Sequence, residues 1–276
     1  MFTQLLTHAR IRAVLIAGIA LLATACQTVQ TTQPGAVGVD RKQMMLVSSD
    51  KVDEGAKVAY DQEVNKARAA GALNKDKAQY DRVQRISQRL IPKTTTFRPD
   101  AGSWKWEVNV QSSEDVNAYC MPGGKIMVYT GLIDTIKPTD AELAAVIGHE
   151  IAHALREHSR ERLSRAYAEQ MVLAGVAVAT GAGDSVMGLA GQISAVTFQL
   201  PHSREQEAEA DRIGLELMAR AGYDPNAAVS LWQKMSKASS GGPPEFLSTH
   251  PSGESRIRDL EKNVPRVLPL YQAAQK

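Results

Sequence analysis

Cysteine, aromatic side chains and net charge are all scarce in this chain: 276 residues carry two cysteines, 5% aromatics and a formal charge of only +2. Each scarcity excludes something. The cysteines are Cys26 and Cys120, and Cys26 stands directly after an export-signal pattern, which leaves Cys120 without an intrachain partner. The fold must therefore rest on burial rather than on a disulfide framework, and Cys120 is expected as a small buried thiol. Arg10 and Arg12 fall in the signal, so the 32 basic residues drop to 30 against 30 acidic ones. A neutral chain without a dense basic run has no electrostatic footprint for DNA or RNA, and no nucleic-acid partner is expected. Long apolar runs are missing too. Ala13 to Leu22 is too short to span a bilayer, and the stretch from Ala166 to Leu200 is interrupted by Gly181, Gly183, Asp184, Gly188 and Gly191.

Residues 1–25 read as a signal peptide: His8, Arg10 and Arg12 form a basic start, an apolar core follows, and Leu22-Ala23-Thr24-Ala25-Cys26 closes it with small residues. The cysteine after that site resembles a bacterial lipobox, which implies cleavage before Cys26 and lipidation of its sulfur. Gln27 in the next position resembles the outer-membrane sorting pattern. The expected location is the periplasm, lipid-anchored to the inner leaflet of the outer membrane. Residues 26–42 are rich in Thr, Gln, Gly and Pro and are expected to form a flexible tether, with one domain over residues 43–276.

Within that domain the pattern predicts an α+β fold, mainly helical, with a small three-stranded sheet. Helices are expected over Ser49 to Ala70 and Asp76 to Leu90; the second carries Tyr80, Val83, Ile86 and Leu90 at three- and four-residue steps. Period-two alternation from Trp104 to Val110 predicts a strand that buries both tryptophans. Asn117 to Cys120 and Lys125 to Thr130 follow as a hairpin about Pro122-Gly123-Gly124, and everything after Gly131 reads as helix or loop.

One helix carries chemistry. Thr139 and Glu142 form a capping box after Pro138, which sets the register of His149-Glu150-Ile151-Ala152-His153. Residues four apart on a helix lie about 40° apart around its axis, so both imidazoles can face one ion with Glu150 beside them. Two histidines cannot hold a catalytic zinc alone, since three protein ligands are usual. A second capping box, Ser203 with Gln206, opens a helix on which Glu207 and Asp211 share a face. Glu207 is then a candidate third ligand, and Asp211 can accept the free N–H of a ligating histidine. His158 lies about 140° around the helix from His153, and His202 precedes the second helix, so both are left out of the ligand set.

His149-Glu150-x-x-His153 followed by Ser203-Arg204-x-x-Glu207-x-x-Ala210-Asp211 resembles the HtpX and CAAX-prenyl-protease family of gluzincin metallopeptidases, and within it the periplasmic lipoprotein branch typified by BepA and LoiP. Asn117-Ala118 with Pro122-Gly123-Gly124 and Gly131-Leu132, Ala221-Gly222-Tyr223-Asp224-Pro225, and Thr249-His250-Pro251 with Arg256-Ile257 extend the likeness over about Asn117 to Leu260. The resemblance implies a gluzincin domain holding one Zn2+ per chain on His149, His153 and Glu207, rather than on Glu205 or Glu209. It implies a substrate-pairing strand beside the zinc cleft over Lys125, Ile126, Met127, Val128, Tyr129 and Thr130. It makes His250 a candidate latch on the zinc, with an oxyanion donor or a helix cap as the other readings; Arg256 is a second candidate oxyanion donor.

The expected chemistry is peptide hydrolysis with Glu150 as general base, acting on unfolded or misassembled envelope proteins, with outer-membrane assembly machinery as a candidate partner. The alternative is a zinc-stabilised chaperone or scaffold that binds such clients without cutting them. Glu150 speaks against it, because a purely structural zinc site needs no base.

Overall fold

Most of the chain is helical, and a computed structural model describes its residues 27–174, 186–238, 245–250 and 253–276. The signal peptide and Cys26 lie outside the described residues, as do Gly181, Gly183, Asp184 and Pro251. Helix α1 runs Ser49–Ala69 and α2 runs Lys77–Leu90, within a residue of the expected spans. The apolar steps of α2 bury Val83, Ile86 and Leu90, and the Asp76 side chain accepts the Gln79 N–H to start it. Pro92 and Pro99 then open two short 3-10 turns, Ile91–Thr96 and Pro99–Ser103.

Next comes a three-stranded sheet. Its strands are β3 (Glu107–Gln111), β4 (Ala118–Met121) and β5 (Lys125–Tyr129), in the order β3-β5-β4, with β3 parallel and β4 antiparallel to β5. The β4–β5 turn takes positive φ at Gly123 and Gly124, and a side chain on Gly124 would strike the Trp106 ring at 2.7 Å. Two expectations change here. The first strand begins at Glu107, so Trp104 and Trp106 lie in its lead-in; their rings stand 5.4 Å apart and both pack against the core. The segment Lys125 to Thr130 is also not an edge. Val108 pairs with Ile126 on one side of β5 and Cys120 pairs with Ile126 on the other, while Thr130 already belongs to helix α3 (Thr130–Ile136). The parallel crossover from β3 inserts β5 between its neighbours, and a hairpin motif cannot reveal that.

The expected tether is also corrected. Strand β1 (Gln27–Val29) pairs antiparallel with β2 (Gln43–Met45), and Val37 and Val39 between them are buried. Gln33 N–H donates to the Phe97 carbonyl at 2.7 Å, and Val37 N–H donates to Glu216 Oε2 at 3.0 Å. Arg41 pairs with Glu161 and with Glu209, each at 2.6 Å. The segment is polar because its partners are buried carboxylates, not because it is unfolded; composition alone cannot separate the two cases.

The remaining elements are α4 (Asp140–Leu155), α5 (His158–Ala174), α6 (Val186–Phe198), α7 (Arg204–Arg220), α8 (Asn226–Ala238), the short α9 (Glu245–Thr249) and α10 (Glu254–Ala274). No strand follows Tyr129 among the described residues, and none of their helices is long and apolar enough to cross a membrane. Helix α4 is buried on almost every side, packed against β4, α7 and α8.

Candidate metal centre

Helix α4 begins at its capping box: Thr139 Oγ1 accepts the Glu142 N–H at 3.2 Å, and Glu142 Oε2 accepts the Thr139 N–H at 2.7 Å. Helix α7 begins the same way, with Ser203 and Gln206 exchanging contacts of 3.2 Å. The helices cross at paired glycines. A Cβ on Gly214 would stand 2.8 Å from the His149 backbone nitrogen, and one on Gly148 would stand 3.1 Å from the Gly214 carbonyl oxygen. Only this backbone-to-backbone approach brings the carboxylate of α7 against the imidazoles of α4.

It assembles one cluster. Ligand atoms of His149, His153, Glu207 and His250 all lie within 4.8 Å of one another, and all four residues are buried. His149 Nε2 lies 3.0 Å from His153 Nε2 and 3.2 Å from His250 Nδ1. Glu207 reaches His153 Nε2 at 3.4 Å, His149 Nε2 at 3.5 Å and His250 Nδ1 at 3.0 Å. Burial works against ionising Glu207, but the charges of His250 and Arg256 and the hydrogen bonds from His153 and His250 hold its pKa well below the usual carboxylate range. Behind the cluster, His149 Nδ1 meets Asp211 Oδ1 at 2.9 Å, the contact expected of Asp211. Arg256 then clamps the carboxylates from behind. Its Nε and Nη2 donate to Asp211 at 2.7 Å each, its Nη1 lies 2.5 Å from Glu207 Oε2, and its guanidinium lies over the Trp232 ring at 3.6 Å. Held in this way, Arg256 backs both Glu207 and Asp211.

The model of peptidase family M48 matches residues 77–264, a span that takes in both motif helices and the His250 segment. The chain belongs to peptidase family M48. Among similar proteins, the mitochondrial metalloendopeptidase OMA1 of Arabidopsis thaliana is 41% identical over 175 residues, covering 62% of this chain and 34% of that protein. The mitochondrial metalloendopeptidase OMA1 of Bos taurus is 36% identical over 213 residues, covering 72% and 40%. The beta-barrel assembly-enhancing protease of Yersinia pestis is 26% identical over 273 residues, covering 90% and 54%. The chain thus spans from about a third to about half the length of these M48 relatives.

The cofactor of this family is zinc, and the M48 residues here fit it. Two neutral imidazoles and a carboxylate are a zinc donor set, and both histidines turn Nε2 inward while Nδ1 is engaged elsewhere. Glu150, adjacent on α4, keeps Oε1 buried without a hydrogen-bond partner, 3.6 Å from His250 Nε2. Burial is the main force that raises its carboxyl pKa, which suits a group that must accept a proton. A cavity of about 20 Å³, room for a water-sized molecule, opens here between Ala118 and Cys120 of β4, Glu150 and His153 of α4, and His202 and His250.

Two histidines left out of the ligand set also come to this site. His158 Nδ1 lies 2.7 Å from His153 Nδ1, and the His202 ring lies 4.0 Å from that of His153 and stacks on His250 at 4.9 Å. The 140° separation holds only for a continuous helix. Helix α4 ends at Leu155, Glu157 takes φ +51°, and the reversal carries His158 back to His153. Glu157 itself turns away from the cluster and pairs with Arg98 at 2.6 Å. A non-glycine residue at positive φ leaves little trace in a sequence.

Proposed function

We propose that this chain is a zinc-dependent endopeptidase that cleaves unfolded or misassembled proteins. The reading is carried by Glu150: a buried carboxylate whose Oε1 has no hydrogen-bond partner stands beside a two-histidine, one-glutamate cluster, where a general base is required. His149, His153 and Glu207 would hold the zinc, which would supply Lewis acidity toward a water molecule and a peptide carbonyl. Glu150 takes the proton of the attacking water and delivers it to the leaving amine, and no covalent enzyme intermediate is required. A scaffold without hydrolysis would leave this carboxylate buried and unused.

Edge strand β4 is the proposed docking line for the peptide backbone, in place of β5. Tyr129 N–H donates to the Asn117 carbonyl at 3.0 Å, so alternation points the main-chain groups of Tyr119 and Met121 at β5 and those of Ala118 and Cys120 away from it. Asn117 Oδ1 meets the Ala118 N–H at 2.8 Å, which leaves the Cys120 N–H and the Ala118 and Cys120 carbonyls facing the cleft. His250 stands within the ligand cluster, and its proposed role is a latch that fills the position a substrate carbonyl requires.

The proposed setting is the bacterial envelope, with Cys26 lipidated on the outer membrane and assembly machinery as a partner. Support comes from the lipobox pattern and from the beta-barrel assembly-enhancing protease of Yersinia pestis, whose match covers 90% of this chain. Strand β1 starts at Gln27, one residue after Cys26, so such a lipid would hold the domain close against the bilayer.

The test compares wild type with Glu150→Gln on casein and on an unfolded outer-membrane protein, with zinc content measured in both. Zinc retained at one equivalent with hydrolysis lowered by roughly 10²-fold or more is the expected result. Equal hydrolysis by the two would overturn the mechanism.

A further inference from the structure

The two imidazoles on α4 are supported differently. His149 Nδ1 meets the carboxylate of Asp211 directly. His153 Nδ1 meets another imidazole, His158 Nδ1, and His158 Nε2 in turn meets Glu209 Oε2 at 3.1 Å. His158 is fully buried, and Glu209 is held in place by Arg156 Nε at 3.1 Å and Arg41 Nε at 2.6 Å.

We propose that His158 and Glu209 form a two-step relay that fixes the tautomer and ring orientation of His153, making His158 a positioning residue for the metal centre. This rests on the reading of His153 as a zinc ligand. The proton assignment follows from the contacts. With Nε2 turned to the cluster as a lone pair, His153 carries its proton on Nδ1 and donates it to His158 Nδ1. His158 then carries its proton on Nε2 and donates it to Glu209, which is an acceptor only. Both ring nitrogens of His153 and of His158 are then engaged, and no group needs an extra charge. The relay places an anion two bonds away from His153 rather than one, so His153 is a less strongly polarised ligand than His149.

His153, His158 and His202 are also close enough together to hold an ion of their own. That arrangement would require His153 to ligate through both nitrogens as an imidazolate while His158 abandoned its orientation toward Glu209. The relay needs neither.

The test uses the zinc-loaded protein and its cobalt-substituted form, with His158→Leu, His158→Gln, Glu209→Gln and, as control, His153→Ala. Zinc affinity is read by competition with a chromophoric chelator, ligand-field geometry by the visible Co2+ spectrum, and folding by the melting temperature of the metal-free protein. His158→Leu should weaken zinc about 10- to 100-fold and shift the Co2+ bands. His158→Gln should recover most of both, since its amide oxygen can accept from His153 and its NH2 can donate to Glu209. Glu209→Gln should fall between them. Unchanged zinc affinity and an unchanged Co2+ spectrum in His158→Leu would overturn the relay. So would a His158→Gln protein no better than His158→Leu, or a second zinc equivalent lost with His158. If His158→Leu does not fold, Glu209→Gln and His158→Gln decide it by the same readings. Full zinc affinity in His153→Ala would mean that the reading of the metal centre itself had failed, separately from the relay.

Discussion

Each of the other candidate ligands keeps a support besides His250: Asp211 orients His149, His158 meets His153, and Arg256 steadies Glu207, which His250 also contacts at 3.0 Å. His250→Ala should therefore raise basal casein hydrolysis several-fold while leaving zinc content near one equivalent; lower hydrolysis with zinc retained would assign His250 an oxyanion or structural task. Asp211 behaves oppositely. Asp211→Asn keeps an oxygen for His149 but loses the charge paired with Arg256, and zinc affinity measured by chelator competition should fall about 10- to 100-fold. At this scale the sequence was legible wherever a residue sits on an unbroken helix. His149, Glu150, His153, Glu207 and Asp211 all stand where helical spacing puts them. His158 was illegible because one left-handed residue, Glu157, cancels the rotation on which the spacing argument depends.

The decisive contact between elements is the glycine crossing of α4 and α7. Gly214→Ala would force the helices apart at the point where Glu207 meets the histidines. Overpacking of this kind typically costs about 1–3 kcal/mol, which predicts a melting temperature lower by about 2–4 °C per kcal/mol, together with weaker zinc retention. Differential scanning calorimetry of metal-free and zinc-loaded protein checks both, and an unchanged melting point would mean that the helices slide past the added methyl. Gly148 and Gly214 carry no motif signal. Their role exists only once two distant segments are in contact. Strand order is similar: the alternating residues of β5 are the same whether it lies at the edge or in the centre, and the parallel pairing with β3 settles the matter.

Buried ion pairs tie distant elements of the described residues together. Arg41, in the segment preceding α1, reaches Glu161 on α5 and Glu209 on α7, linking the N-terminal hairpin to the relay behind His153. Arg41→Ala should destabilise the fold by roughly 2 kcal/mol in urea unfolding, less than the full cost of stranding a buried charge because Arg156 remains on Glu209. The pH dependence has two signs. Burial opposes ionisation of Glu209, yet hydrogen bonds from His158 and Arg41 and the charge of Arg156 hold it at about 2, so its contribution is present above the ordinary glutamate range and lost as pH falls through about 2. Asp53 is pushed up to about 6, mainly by burial and then by the charge of Glu157. Its contribution is present below the ordinary aspartate pKa and lost as pH rises through about 6. Asp53→Asn should therefore match wild type in melting temperature near pH 4 and exceed it near pH 8, and parallel curves across that range would contradict the assignment.

By itself the sequence determined the capped starts of α4 and α7 and the helix faces that carry the candidate site, with Glu150 beside His149 and His153 and with Glu207 in register with Asp211, because capping boxes and four-residue spacing are local consequences of helix geometry; the preference for Glu207 over Glu205 or Glu209 came from the family resemblance. Only the tertiary structure decided that residues 27–45 are folded, that β5 is central with β4 at an edge, that Arg256 backs Glu207 and that His158 stands behind His153. The first three depend on which distant segment fills the neighbouring space and the last on the left-handed turn at Glu157, and no period along the chain encodes either.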